Sequence, residues 1–319
     1  MKDSILISVF VLLPLFANAQ RPDRPLIPLN AYELTDYRAV DVSEAFTFPE
    51  GMEFAAVSGV TINSDKHLLA FHRGEQPFLE FDADGNFIRQ FGPKDFFRFS
   101  HGMRLDKDGN IWVTDIRLNL VLKYDQQGNE LIRLGELGQN GAWDEAIGQR
   151  LFDEPNDIAW DSAGNMYVAQ GHVRGEPRIL KFDTAGNFIK QWGSRGSAPG
   201  QMLVAHAIQI DAQDNIYVAD RENFRIQIFD TEGNYLREMK FNAMACALYL
   251  HDDGFIYMTS GFDGEWAKVD MEGNIIGTLG RPGTGNGEFG EGHFLVVDEN
   301  DNVFIGDVIN RRIQKYERK

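Results

Sequence analysis

Seven histidines occur in the 319 residues, and three of them, His101, His206 and His293, share one place in a recurring sequence unit. Counting back nine residues from the turn position typified by Asn110 gives Ser58, His101, Asn156, His206, Cys246 and His293 in six successive units. Three imidazoles with a fourth position left open are the ligand set of a catalytic zinc, where the ion polarises a substrate oxygen or acidifies bound water. Separations of 105 and 87 residues exclude a local finger, so only the fold can assemble the set. Three histidines falling by chance at one phase of six units has a probability on the order of 10⁻³. The plain alternative is a polar channel in which the histidines hold water or one another. Two cations stand near the same place: Arg73 in Phe71-His72-Arg73-Gly74 and Arg221 in Ala219-Asp220-Arg221-Glu222-Asn223. Guanidinium groups beside a metal would clamp a carboxylate through paired hydrogen bonds. Otherwise each simply pairs with a neighbouring acid. His172, in Gln170-Gly171-His172-Val173, is a candidate acid or base, against the simpler reading of a histidine on a surface loop.

The elements that must position these groups are repeats. Phe81-Asp82-Ala83-Asp84-Gly85-Asn86 recurs as Tyr124 to Asn129, Phe182 to Asn187, Phe229 to Asn234 and Val269 to Asn274, and a sixth copy begins at Ile313. Successive Asn positions lie 43, 58, 47 and 40 residues apart, a period expected of four-stranded propeller blades. A second signature, as in Leu105 to Asp115 and Ile210 to Asp220, flanks Asp-Gly-Asn-like turn chemistry with apolar runs, the pattern of strand, tight turn, strand. The fold class predicted is therefore all-β, a six-bladed β-propeller. In a six-fold ring, alternate blades are related by roughly 120°, so one phase of the second, fourth and sixth innermost strands converges on the axis. The sixth unit lacks its last strand, and the stretch from about Tyr32 to Phe48 is expected to supply it, leaving no open edge. Asp82 to Asn86 mimics the start of a calcium loop, but the closing Glu is absent and the motif recurs as a turn. Gly285 to Gly290 fits G-x-G-x-x-G with no helix to follow, which excludes a dinucleotide site.

Composition bounds the rest. Residues 1–19 read as a signal peptide, with a charged start, an apolar run from Ile5 to Phe16 and Ala17-Asn18-Ala19 before Gln20. Residues 20–319 are then a single propeller domain, secreted or periplasmic, with no membrane anchor after cleavage. Cys246 is the only cysteine, so an intramolecular disulfide is impossible. A net charge of −17 without basic runs argues against nucleic acid and anionic membranes as partners. A monomer acting on a small carboxylate-bearing or peptide substrate is the expectation.

The Arg-Ile-Gln-x-Phe and aromatic-Val-Ala-Asp elements resemble the NHL repeat. Val57-Ser58-Gly59-Val60, Phe71 to Gly74, His101-Gly102, Trp112 to Asp115, Gln191-Trp192-Gly193 and Val218 to Gln227 narrow this further. They resemble the peptidyl-α-hydroxyglycine α-amidating lyase family across nearly the whole mature chain. The resemblance implies a zinc on His101, His206 and His293, with Arg73 and Arg221 as active-site arginines. It also implies cleavage of the C–N bond of a peptidyl-α-hydroxyglycine to an amide and glyoxylate. Three departures stand out: His172 falls where the family has a tyrosine base, Phe294 replaces the aspartate ligand of a structural calcium, and the family's paired cysteines are missing. Val60 and Met103 keep the positions whose carbonyls would help hold that calcium. The competing functions are a non-enzymatic NHL propeller that binds a peptide or glycan, and a metal-dependent lactonase, whose propellers mostly use carboxylates on calcium.

Overall fold

In a computed structural model, residues 33–319 are described. The signal-peptide reading of residues 1–19 falls outside them. Six four-stranded antiparallel sheets form the blades. Their innermost strands are Val57–Ile62, Ser100–Leu105, Pro155–Trp160, Ala205–Ile210, Ala247–Leu250 and Gly292–Val297. Each packs against the next, and the sixth against the first, which makes the ring.

Burial follows from this stacking. The second strands Leu68–His72, Ile111–Asp115, Ile216–Asp220 and Val303–Asp307 are buried at every residue, because both faces lie against neighbouring blades. An outermost strand such as Phe87–Phe91 alternates toward solvent, and it is there that Ile88, Ile189, Leu236 and Ile276 are exposed.

The repeated aspartates close hairpin turns. Asp106 accepts the backbone N–H of Asp108 at 3.0 Å and of Asn110 at 2.9 Å, and Asp82, Asp125, Asp183, Asp211, Asp230, Asp270 and Asp298 do the same at their turns. Gly109 sits at φ +79°, which any side chain would resist. The long third repeat is explained by a two-stranded excursion, Trp143–Asp144 with Gln149–Arg150, whose Trp143 ring packs on Phe182 at 4.9 Å.

Closure is as expected from the sequence. Tyr37–Val40 pairs antiparallel with Arg312–Arg318 as the outermost strand of the sixth blade, Tyr37 opposite Arg318 and Ala39 opposite Tyr316. Tyr37 is locked there by the edge of Trp266 at 5.2 Å and by the Tyr257 hydroxyl at 3.2 Å. Beyond that strand, Val42–Ala45 makes one helical turn that brings Phe46 onto Phe81.

Candidate metal centre and channel mouth

The histidine positions sit in β-bulges. Pairing of the innermost with the second strand slips between Val57 and Gly59, Ser100 and Met103, Pro155 and Asp157, Ala205 and Ala207, and Gly292 and Leu295. Ser58, His101, Asn156, His206 and His293 all lie within those steps. An extra residue re-aims a side chain out of the pleat, and in the second, fourth and sixth blades the re-aimed side chains are imidazoles that meet. Their ring centroids are 4.6, 4.7 and 4.9 Å apart, their ligand atoms lie within 4.8 Å of one another, and all three residues are buried.

Each ring is tied to the following blade at the same phase. His101 Nδ1 donates to the Asn156 carbonyl at 2.8 Å, His206 Nδ1 to Cys246 at 2.7 Å, and His293 Nδ1 to Ser58 at 2.6 Å. A carbonyl only accepts, so the proton of each neutral ring stands on Nδ1 and the Nε2 lone pair is left free. Burial pushes His101 and His206 well below the usual imidazole range and His293 down to about 3, so the rings are neutral. His101 Nε2 and His206 Nε2 therefore face each other as two acceptors 3.2 Å apart. A cation between them removes that conflict, and tetrahedral zinc with bonds near 2.0–2.1 Å places its nitrogens roughly 3.4 Å apart. The three histidines fit a metal ion.

Gly102 shows how tight this assembly is, since a Cβ there would lie 2.4 Å from the Asn156 carbonyl oxygen that holds His101. Beneath the histidines lies Phe294, with centroids 5.0 Å from His293, 5.6 Å from His101 and 6.1 Å from His206. The Arg104 guanidinium is 5.1 Å from that ring and is held by both oxygens of Asp157, at 3.0 and 2.7 Å. The residues present do not fit a calcium ion at this level: a phenyl ring stands at residue 294, and the Asp157 carboxylate is taken up by Arg104.

Above the histidines is the channel mouth. There, in five of the six blades, the residue two before the histidine-type position has its carbonyl bonded by the residue that follows the second strand. Arg73 donates its N–H to Ala56, Ile116 to Phe99, Gly171 to Glu154, Arg221 to Val204 and Val308 to Glu291, at 2.9 to 3.2 Å. Arg73 and Arg221 are thus equivalent residues of the first and fourth blades. The Arg73 guanidinium lies 3.5 Å from the Phe99 ring centroid and reaches the Ser100 carbonyl at 3.3 Å, with no carboxylate bonded to it among the described residues. Burial brings its pKa down to about 10, so it stays charged. Arg221 is 3% exposed and its Nε donates to Glu222 at 3.0 Å. The neighbouring acid that pairs with it is Glu222, while Asp220 goes instead to Arg225 and Asn223.

His172 is not a surface histidine. It is half-buried, its ring 4.8 Å from His101 and 5.3 Å from His206, and its Nδ1 is buried without a partner among the described residues. Burial, with Arg221 nearby, holds it well below the usual imidazole range, which makes it a neutral proton acceptor. Cys246 is buried beside His206, and burial pushes its thiol up to about 12. Two mouth residues escaped the sequence reading, Phe99 and Glu291. Both stand at one phase, two residues before a histidine, and aligning the units at that second phase would have found them.

A family model described as a six-bladed β-propeller matches residues 151–271. The chain is 31% identical over 303 residues to peptidylglycine α-amidating monooxygenase of Rattus norvegicus, covering 82% of this chain and 30% of that protein. It is also 31% identical over 209 residues to a probable peptidyl-α-hydroxyglycine α-amidating lyase of Caenorhabditis elegans, covering 57% of each. NHL repeat-containing protein 3 of Mus musculus is 29% identical over 163 residues, covering 48% of this chain and 45% of that one. The chain spans about a third of the length of the monooxygenases it matches. Among solved structures, a gluconolactonase of Xanthomonas campestris superposes with a TM-score of 0.64 at 14% identity, covering 90% of this chain and 91% of that one. A streptogramin B lyase superposes with a TM-score of 0.61, also at 14% identity, covering 89% and 98%. At these identities the two structures speak to the fold alone.

Proposed function

We propose, from the premise that this chain is a homologue of the peptidyl-α-hydroxyglycine α-amidating lyases on a six-bladed propeller, that it is a zinc-dependent lyase. Its substrate would be a small carboxylate-bearing α-hydroxy amide. The observation that carries the reading is the pair of buried, proton-free Nε2 atoms 3.2 Å apart, each ring locked by a backbone carbonyl. A zinc held by His101, His206 and His293 supplies Lewis acidity toward a substrate oxygen.

The rest of the chemistry falls to the protein's own groups. Arg73 and Arg221 enter from two blades and offer guanidinium donors to the substrate carboxylate. His172 presents an unpartnered nitrogen beside the histidine axis and takes the hydroxyl proton. As the C–O double bond forms, the C–N bond breaks with its electron pair going to nitrogen, and a proton returns to that nitrogen. The products are an amide and glyoxylate, with no net oxidation. The leader pattern of residues 1–19 supports export as the setting for this activity.

The test is the zinc content of the purified protein beside His206→Ala, with glyoxylate release from N-benzoyl-α-hydroxyglycine. About one zinc per chain, lost in the variant together with glyoxylate release, is the expected result. A protein that takes up no zinc, or releases no glyoxylate when loaded, overturns the proposal.

A further inference from the structure

The mouth tier is built by one recurring arrangement, and Glu291 is the member whose side chain that arrangement leaves unused. Phe99, Val204 and Glu291 each have their backbone N–H bonded by the aspartate at the end of the second strand: Asp115 at 2.7 Å, Asp220 at 3.4 Å and Asp307 at 3.1 Å. Each carbonyl is held from the same strand end. The tier is therefore rigid, and the side chains at this phase are placed by backbone bonds on both sides. Phe99 carries Arg73 on its face. Glu154 spends one carboxylate oxygen on the N–H groups of Val173, Arg174 and Gly175, at 2.6, 2.9 and 3.1 Å, which fastens the loop that bears His172.

Glu291 differs from Glu154 at the same phase. It is 9% exposed, and among the described residues no donor is recorded on its carboxylate. It precedes His293 by two residues, and burial raises its carboxyl above the usual range against the opposing pull of Arg221 and Arg73. A carboxylate with 9% exposure and no protein donor recorded among the described residues, two residues from a histidine of the metal-binding set, is an acceptor open to a ligand's donor.

A peptidyl-α-hydroxyglycine has one such donor next to the reacting carbon, its amide N–H. We propose that Glu291 accepts the N–H of the scissile amide, making it a specificity-determining residue for the reaction proposed above. The inference rests on that reading. With the hydroxyl directed to the histidine axis and the carboxylate to the arginines, the N–H on Glu291 completes a three-point attachment of the carbinol carbon. Only one enantiomer satisfies three such contacts at once, and an N-alkylated amide cannot satisfy the third.

Binding tests this without requiring turnover. The zinc-loaded protein is titrated with N-benzoylglycine and with N-benzoyl-N-methylglycine, for the wild type, Glu291→Met and Glu291→Gln. Loss of a hydrogen bond to a charged acceptor predicts that the wild type prefers the N–H compound by about tenfold or more. Glu291→Met, which keeps the length but not the acceptor, brings the ratio near one while zinc content is retained. Glu291→Gln, with an amide oxygen to offer, recovers part of it. An unchanged ratio in a zinc-retaining Glu291→Met, or no preference in the wild type, overturns the role of Glu291. Failure of the wild type to release glyoxylate from N-benzoyl-α-hydroxyglycine removes the lyase reading instead, and the two results are read separately.

Discussion

At the scale of single residues, the centre depends on what the histidines are tied to as much as on the histidines. Gly102 follows His101 because a methyl group would press on the carbonyl that orients that ring. Gly102→Ala is expected to lower zinc affinity by about 10- to 100-fold, the usual cost of disturbing a ligand's outer partner, with far-ultraviolet circular dichroism unchanged; competition with a chromophoric chelator measures it. Arg73→Ala and Arg221→Ala should each raise KM for a carboxylate-bearing substrate by about tenfold or more, and the same assay on an amide-capped substrate should show neither effect. Cys246 is a test of the opposite kind. Its thiol is buried and pushed up to about 12, so a neutral thiol reagent should leave it unlabelled at pH 8 in the native protein and modify it only on unfolding. The three histidines were legible because a rare residue recurred at one phase. Glu291 was not, because a lone glutamate in an acidic chain looks like solvated surface until its burial is known.

The elements add what a residue list lacks. The Asp-x-x-Gly-Asn turns were readable from the sequence because the Asp and Asn bond one another across the hairpin and glycine adopts the left-handed backbone of its bend without strain. The bulges that aim the histidines were not readable, since one extra residue leaves no mark in composition or in the apolar pattern. Asp106 shows the energetic weight of a turn. Burial alone would raise its pKa, but Lys123, Trp112 and Asn110 outweigh that and hold it at about 2, against an ordinary value of 3.8. A depressed carboxyl stabilises the fold above its unfolded value, and that contribution is lost as pH falls from about 4 through about 2. Asp106→Asn should therefore cost on the order of 2 kcal/mol at pH 7 and much less at pH 2, measured by urea unfolding at both pH values.

At the scale of the whole molecule, the ring is held shut by the pairing of Tyr37–Val40 with Arg312–Arg318. Tyr37 packs on Trp266, which in turn meets Tyr257 and Tyr316 at 6.0 and 5.4 Å. Tyr37→Ala removes a buried aromatic ring and should cost about 3–5 kcal/mol, lowering the thermal midpoint by on the order of 5–10 °C. The same variant should retain zinc more weakly, because blades one and six share the histidine axis through the His293 to Ser58 bond. The closing strand was legible because a propeller cannot tolerate an open edge. Its short length was not, because a helical turn at Val42–Ala45 interrupts an otherwise strand-like segment.

That bond between His293 and Ser58 joins residues 235 positions apart, and it sets an order of events during biosynthesis. A chain emerging from the ribosome can stack its early blades on one another as they appear, since those contacts are local. The trio of imidazoles, by contrast, cannot exist until the sixth blade has been made and swung round to meet the first. Metal capture at the proposed centre would therefore be confined to finished molecules, and the ion would stabilise only those. A chain stalled or truncated before residue 293 would gain nothing from the metal, so the proposed centre would double as a stamp of completion.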